Sequence, residues 1–387
     1  MKKKVLIIGG GPAGCSTAHL LSEIENLEIT LIESSSILGA GVRTQYYGGH
    51  PYTFGPRHFL TQNKKVFDYI NNIIPMRSCS EHEFISYVEK DDNFYNFPIH
   101  MDDVRSMPDS EIILKEIKEA KGVENANNIE DFWIGSVGVT LYNKIINNYN
   151  KKMWQVDDNK KIDTFKWSPK GATIKDGPRA AWDIAISAYP YAKNGYDDFF
   201  DLVFKKADVK LNTKIEKFNF IDREVFIEGE KLKFDIIVNT ISPDTLFDNC
   251  YGELPFIGRD LFTIVFPTEY VFPDNVYFIY YPNTEKFTRM VEYKKFTKHK
   301  SKNSLIGLEI PSMNGKHYPM PIKAEQIKAK KYHDLMPENT YSIGRAGTYR
   351  YLVDIDDCIE QAMQIKENIL KNSYDGPIPL KRWREFN

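Results

Sequence analysis

The sequence predicts an α/β fold built on a parallel sheet, and three observations carry that prediction. Val5, Leu6, Ile7 and Ile8 form a continuous apolar run near the start of the 387-residue chain. Such a run marks a strand buried on both faces of a parallel sheet. Gly9, Gly11 and Gly14 follow at once in the spacing GxGxxG. Far downstream, Ile236, Ile237 and Val238 form a second buried run that stops at the polar pair Asn239-Thr240, as a strand returning to the same sheet would.

Each glycine has its own task in such a turn. The first lets the chain bend sharply, the second admits a pyrophosphate, and the third lets a helix pack on the strand. The helix expected over 12–21 opens with Pro12 and Ala13 and points its free N–H groups at the phosphates. A second strand over 28–32 ends in Glu33, where an acid binds a ribose hydroxyl. Strand, turn, helix, second strand and acid together specify a Rossmann-like dinucleotide site. Residues 34–44, SSSILGAGVRT, add Gly39, Gly41 and Arg43. This stretch is similar to the second glycine-rich turn of FAD-binding oxidases and mutases, with Ala40 interrupting the glycine pair. FAD is therefore expected rather than NAD, with Ser34, Gly41 and Arg43 beside it.

Composition narrows the class. With 51 basic and 53 acidic residues the net charge is −2, so no global field recruits nucleic acid. Lys294-Lys295 and Lys298 read as a solvated face. Cys15, Cys79, Cys250 and Cys358 lack CxxC spacing, which argues against a disulfide framework or a zinc site, and no metal is expected. Cys15 falls in the first helix and reads as core. No apolar run reaches membrane-spanning length, and Met1 leads into a strand rather than a signal peptide. A cytoplasmic enzyme without membrane insertion is expected.

Residues 45–63 are rich in Gly, His and aromatics and read as loops near the flavin. A helix is expected over 66–74, then a hairpin over 84–99 turning at Asp91-Asp92-Asn93. Residues 102–152 carry apolar residues at helical spacing. Residues 155–195 hold Pro169, Gly171, Gly177, Pro178, Pro190 and Gly195 and read as long irregular chain, which is uncommon unless functional. Strands follow over 207–242, and alternating strands over 257–310 predict an antiparallel sheet. A strand at 341–343 meets Gly344-Arg345. Asp354, Asp356 and Asp357 then stand at the start of a helix over 355–370, where acids are favoured. The resulting division is a discontinuous FAD-binding domain (1–63, 205–245 and 335–372), an inserted, mostly helical substrate domain (64–204, with a mobile lid at about 155–195) and an antiparallel β-sheet domain (246–334).

Taken together, GGGPAG at 9–14, FYNFPI at 94–99, LYNKIINNYNKKMW at 141–154, FTRMVEYKKF at 287–296, EIP with HYP at 309–319, and GRAGTYRYLVD at 344–354 resemble the UDP-galactopyranose mutase family. The resemblance spans nearly the whole chain. It implies a redox-neutral interconversion of the pyranose and furanose forms of a nucleotide-activated sugar on reduced FAD, through a sugar adduct at flavin N5. NADPH or NADH would be the reductant, the furanose would supply a surface polysaccharide such as a capsule, and a homodimer would be the assembly. The protein would supply position and charge.

The resemblance also assigns residues. Arg289, Tyr318 and Tyr351 match the family's phosphate-binding arginine and tyrosines, and cations and hydroxyls suit a diphosphate leaving group. Tyr149 and Trp154 match the aromatics around base and sugar, and Asn96 a base-contacting amide. Arg345 matches the arginine by the flavin. Asp354 matches a residue at the FAD-binding helix, which also carries Asp356. Without the family match, Arg289 reads as an ion pair on a strand, and Arg345 as an ion pair with a nearby aspartate.

Three departures stand out. The family's lid arginine after a proline is replaced by Trp167-Ser168-Pro169-Lys170, so either Lys170 or Arg179 is the second cation, and lysine would give a point charge rather than a fork. The family's Gly-Ala-His-x-Phe-His at the flavin face reads Gly55-Pro56-Arg57-His58-Phe59-Leu60, which puts Arg57 and His58 at the reacting face in altered order. The glycines after the acid also differ. Together these changes favour a sugar other than galactose: a deoxyhexose, amino sugar or heptose. The rival readings are an FAD-dependent oxidoreductase of the amine oxidase-like fold and a non-catalytic flavin or nucleotide-sugar binding protein.

Overall fold

The computed structural model describes residues 2–164 and 173–384. Three separate stretches of chain build one five-stranded parallel sheet. Its order is Asp208–Lys210, Leu27–Ile32, Lys3–Ile8, Ile236–Asn239, Thr340–Ser342. Lys3–Ile8 lies at the centre, which is why Val5, Leu6 and Ile7 are fully buried. The helix Pro12–Leu21 covers the sheet together with Ile355–Leu370. The latter starts on a capping box in which Asp354 and Asp357 exchange side chain-to-backbone bonds, satisfying two orphan donors. The α/β class and the discontinuous nucleotide domain are as the sequence predicts.

A second, seven-stranded sheet runs Tyr318–Pro319, Phe256–Phe266, Ser304–Ser312, Arg289–Glu292, Val276–Tyr280, Glu83–Val88, Asn93–Phe97. Its pairs are antiparallel except Val276–Tyr280 with Glu83–Val88. The expected hairpin forms, but it extends this sheet instead of standing with the helices, so the expected division between 64–204 and 246–334 cuts through the sheet. Phe84 explains why: it stacks on Phe278 at 5.0 Å and meets Tyr280 edge-on at 4.8 Å.

The helical block runs through Met101–Ser106, Ser110–Glu119 and Ile129–Val137 to Asn147–Trp154. Before its last segment the helix widens into a π turn over Tyr142–Ile146, a feature frequent at functional sites.

Two expectations need correction. Residues 155–195 are not irregular throughout, because Ile186–Pro190 is the central strand of a small sheet between Phe59–Thr61 and Met76–Ser78. Its proline disguises it, yet Pro190 sits at the strand's last position, where it interrupts little. The second correction concerns Lys294 and Lys295, which are buried, not solvated. The segment Tyr293–Thr297 is a short helix. Lys295 Nζ donates to the carbonyls of Phe272, Pro273 and Asp274, and Lys294 Nζ to those of Glu269 and Ser301. Only Lys298 of the three is exposed.

Among the described residues, no helix is long and apolar enough to cross a membrane, and no cluster of three or more His, Cys, Asp or Glu could hold a metal.

Candidate active site

The glycine turn is shaped by what side chains would hit. Gly9 has φ +98°, and a Cβ on Gly14 would stand 1.9 Å from the Gly9 carbonyl oxygen, so only glycine fits. A Cβ on Gly11 would meet nothing nearer than Ala40 Cβ at 3.7 Å, leaving room for a phosphate above the start of the helix that Pro12 and Ala13 open. Glu33 ties the second strand to this turn. Its Oε2 accepts from Gly10 N–H at 2.7 Å and its Oε1 from Ser35 N–H at 2.7 Å, with Ser34 Oγ donating more weakly at 3.4 Å. Gly344 closes the far side, since a Cβ there would approach Ala13 Cβ to 2.9 Å. Gly41 lies beside Phe54 and the Arg57 guanidinium.

Several buried polar atoms have no protein partner among the described residues, including Ser16 Oγ on the helix that follows the turn and Arg57 Nε beside Gly41, as well as Tyr196 OH and His317 Nδ1. Orphans of this kind, around an open glycine turn at a helix N-terminus, fit a dinucleotide such as FAD. Asp356 follows Asp354 in the first turn of the adjoining helix. Arg43 is differently employed: its guanidinium is bound to Asp201 at 2.6 Å and Asp197 at 3.5 Å. It anchors the 197–201 helix to the glycine-rich loop, and cofactor contact is not its visible role.

On the neighbouring sheet, most of the expected substrate residues meet in one cluster. Arg289 donates through Nε and Nη2 to the two oxygens of Glu309 at 2.9 and 2.6 Å. Its guanidinium also lies over Tyr280, which meets Tyr149 edge-on at 5.2 Å. Arg345 stands over Tyr318 at 5.3 Å and over Tyr351 at 5.9 Å. Tyr351 contacts Trp154 at 4.8 Å and Tyr318 at 5.8 Å. Arg345 also pairs with Asp354 at 3.7 Å, so the bland ion pair and the site position coexist.

Sequence reasoning missed Arg259 and Glu309. Arg259 is buried, donates to Glu309 Oε2 at 2.8 Å and to Thr288 Oγ1 at 3.0 Å, and lies 5.0 Å over the Tyr318 ring. Glu309 is thus shared by two arginines. The signal was present in the strand Phe256–Phe266: a charged residue inside a buried apolar run needs an ionic partner. Register supplies that partner, since Glu309 faces Leu261 and Arg289 directly and Arg259 diagonally.

The charges of the cluster follow from these contacts. Burial would raise the Glu309 carboxyl, but Arg289 and Arg259 outweigh it and hold it low. Asp354 is likewise lowered, because Arg345 and Arg57 overcome its burial. Burial also raises the Tyr318 phenol, yet Arg259 and Arg57 bring it down to about 8. His317, stacked on Phe54 at 4.7 Å, is lowered to about 4 by burial and by Arg57, and so is neutral at pH 7.

Other expected residues lie outside this cluster. His58 sits in an aromatic box with Phe296, His82 and Trp182, at 5.4–5.7 Å between ring centroids, while its neighbour Arg57 turns toward Gly41. Asn96 and Arg179 come together with each other: Arg179 binds Asp103 at 2.8 Å and donates to Asn96 Oδ1, and Asn96 Nδ2 donates to Glu83 at 3.2 Å. Its charge is met there and not at Glu309. Lys170 lies outside the described residues.

A discontinuous Rossmann-like sheet beside an antiparallel sheet that presents paired arginines defines a dinucleotide-binding protein of the flavoprotein type. The family model described as UDP-galactopyranose mutase matches residues 144–351, more than half of the chain, so the chain belongs to the UDP-galactopyranose mutase family. A second model, NAD(P)-binding Rossmann-like domain, matches residues 7–73. A protein of Escherichia coli named dTDP-fucopyranose mutase is 24% identical, covering 96% of this chain and 99% of its own. One of Klebsiella pneumoniae named "Probable UDP-galactopyranose mutase" is 21% identical, covering 96% and 95%. The crystal structure of a reduced UDP-galactopyranose mutase superposes with TM-score 0.83 at 16% identity, covering 99% of both chains. That likeness supports the fold.

Proposed function

We propose that this protein interconverts the pyranose and furanose forms of a nucleoside-diphosphate sugar without net oxidation, using reduced FAD. The observation that carries the reading is the buried Arg259–Glu309–Arg289 group beside Tyr318 and Tyr351. Arg57, Arg259, Arg289 and Arg345 face only two carboxylates, Glu309 and Asp354, across the contacts described. That cationic surplus in a water-poor site suits a diphosphate, whose charge grows as its bond to the anomeric carbon breaks. Oxidation of an amine, the rival reading, releases no diphosphate and makes no such demand.

Reduced FAD would be held at the Gly9–Gly14 turn and, when bound, would supply an electron-rich nitrogen for the anomeric carbon. The chain's residues do the rest. Arg289 and Arg259 meet the departing diphosphate oxygen, and the Tyr318 and Tyr351 hydroxyls donate to it. Tyr149, with Tyr280 behind it, offers a ring on which a base can stack. The carbon–oxygen bond that breaks re-forms at the end, so no electrons are consumed.

The relative named dTDP-fucopyranose mutase, together with the altered flavin-face segment 55–60, supports a deoxyhexose nucleotide as first substrate to try. NADPH or NADH as reductant, a homodimer, the cytoplasm and furanose supply to a surface polysaccharide complete the proposal. Dithionite-reduced protein incubated with dTDP-fucopyranose and UDP-galactopyranose, followed by chromatography, tests it. A furanose isomer formed catalytically, with no stoichiometric reductant used, is expected. Equal turnover by oxidised protein, or one reductant consumed per product, defeats the reading.

A further inference from the structure

We infer that Lys152 is a positioning residue that sets the nucleobase end of the site, an inference that rests on the nucleotide-sugar reading. Lys152 stands on the helix Asn147–Trp154, between the two aromatics Tyr149 and Trp154. Its side chain is largely buried, and its ammonium points at a loop on the other sheet. Nζ donates to the carbonyl oxygens of Glu285 at 2.5 Å, Tyr281 at 2.7 Å and Phe287 at 2.9 Å, with Asn283 O at 3.5 Å. The Glu285 carboxylate lies 3.8 Å away. One cation thus gathers alternate carbonyls of a single loop.

That loop, residues 281–288, is the hairpin connection between two site residues. It leaves the strand Val276–Tyr280 at Tyr280 and enters Arg289–Glu292 at Arg289, which pair in register. It closes through Tyr281 N–H to Thr288 O at 3.0 Å. Its outer side is held by the helical segment and the first hairpin: Asn283 Nδ2 donates to Lys144 O, and Glu89 takes Thr284 Oγ1 and gives its N–H to Asn283 Oδ1. Lys152 holds the inner side. A small pocket lies between the parts so joined, lined by Ser86, Phe97, Ile146, Tyr149, Tyr280 and Pro282. Tyr149 belongs to the helix that carries Lys152, and Tyr280 and Pro282 to the hairpin that Lys152 grips. The clasp therefore fixes the spacing between the walls.

An ammonium suits this task better than a guanidinium. It is compact, and three tetrahedral donors can converge on several carbonyls, whereas arginine's planar fork cannot. Without the cation, carbonyls turned inward by the loop would lose their partner in a water-poor setting, and the loop would reorient. Arg289 has a separate anchor in Glu309, so the leaving-group contacts survive. Loss of Lys152 should weaken nucleotide binding far more than the chemical step.

The test uses the full chain loaded with FAD, with Lys152→Met and Lys152→Gln. Calorimetry measures UDP and dTDP binding, hydrogen exchange reports on the amides of 281–288, and turnover gives KM and kcat separately. Both variants should bind the tighter nucleotide about tenfold more weakly, as loss of a charged hydrogen-bond group predicts. KM should rise in step, exchange over 281–288 should quicken, and FAD content should be unchanged. Unaltered affinity and exchange, or a loss confined to kcat, would overturn the inference. If Lys152→Met does not fold, Lys152→Gln, which keeps two donors, decides on the same readouts. If wild type binds neither nucleotide, the mutase reading fails, while exchange in the variants still decides whether Lys152 orders the loop.

Discussion

Arg289 grips Glu309 with two parallel bonds, Nε to Oε1 at 2.9 Å and Nη2 to Oε2 at 2.6 Å. The fork fixes the guanidinium plane while one Nη1 edge, near Tyr280 OH at 3.5 Å, stays turned toward the base pocket. An arginine so oriented is preorganised for a diphosphate. Arg289→Ala should leave FAD bound, because the cofactor turn is on the other sheet. Loss of one charged hydrogen bond costs about 1.5–3 kcal/mol, so kcat/KM should fall about ten- to a hundredfold or more. Full activity in a folded, yellow variant would remove the phosphate assignment.

The same contact makes Glu309 a stability determinant. Its carboxylate is the shared partner of Arg259 and Arg289. Removing one member of a buried ionic group leaves the others uncompensated, at about 3–5 kcal/mol. Glu309→Ala should therefore unfold at markedly lower denaturant concentration than Arg289→Ala, whose removal leaves Glu309 with Arg259. Equal midpoints for the two variants would contradict the sharing.

How much of this was legible without coordinates varies with the range of the interactions. The nucleotide half was read well because GxGxxG, the following helix and Glu33 act over a few residues, and local rules govern them. The cluster at Arg289 became visible only through the resemblance, since a lone arginine on a strand has no chemistry of its own. Arg259 and Glu309 stayed hidden because alternating strands disguise inward charges as solvent-facing ones. Only cross-strand register brings 259, 289 and 309 together. Lys294 and Lys295 misled for the converse reason: their ammonium groups satisfy backbone carbonyls inside the protein, which no charge pattern reveals.

Tyr318 provides a pH signature. Its phenol, raised by burial but lowered further by Arg259 and Arg57, ionises at about 8 instead of 10. Below that pH it is a neutral donor to a diphosphate, and above it a phenolate that repels one. Nucleotide affinity should therefore be flat below pH 7 and decline through pH 8, with proton uptake on binding in that range. Fold stability should move the opposite way, because a depressed acid pKa adds stability as pH rises from the folded value toward the unfolded one. Tyr318→Phe should abolish the decline in affinity, even though it binds more weakly throughout. A wild-type profile that stays flat to pH 9 would refute the assignment.

The last prediction concerns the second cation at the diphosphate. Lys170 and Arg179 were the candidates from sequence, yet Arg259 shares Glu309 with Arg289, and Asp103 already neutralises Arg179. Arg259→Lys keeps the charge but loses the planar guanidinium, whose Nη1 donates to both Glu309 and Thr288 and whose face lies over the Tyr318 ring. It should lower kcat/KM about tenfold or more with FAD retained, resembling Arg289→Ala in kind. Arg179→Ala should act mainly on KM, because the residue it releases is Asn96, on the hairpin strand next to the base pocket. Lys170→Ala provides the remaining arm. A kcat loss there as large as in Arg259→Lys would give Lys170 a share of the leaving-group charge. A kcat loss in Arg179→Ala with Arg259→Lys fully active would reverse the assignment, since Arg179 would then have to leave Asp103 for the diphosphate when substrate binds.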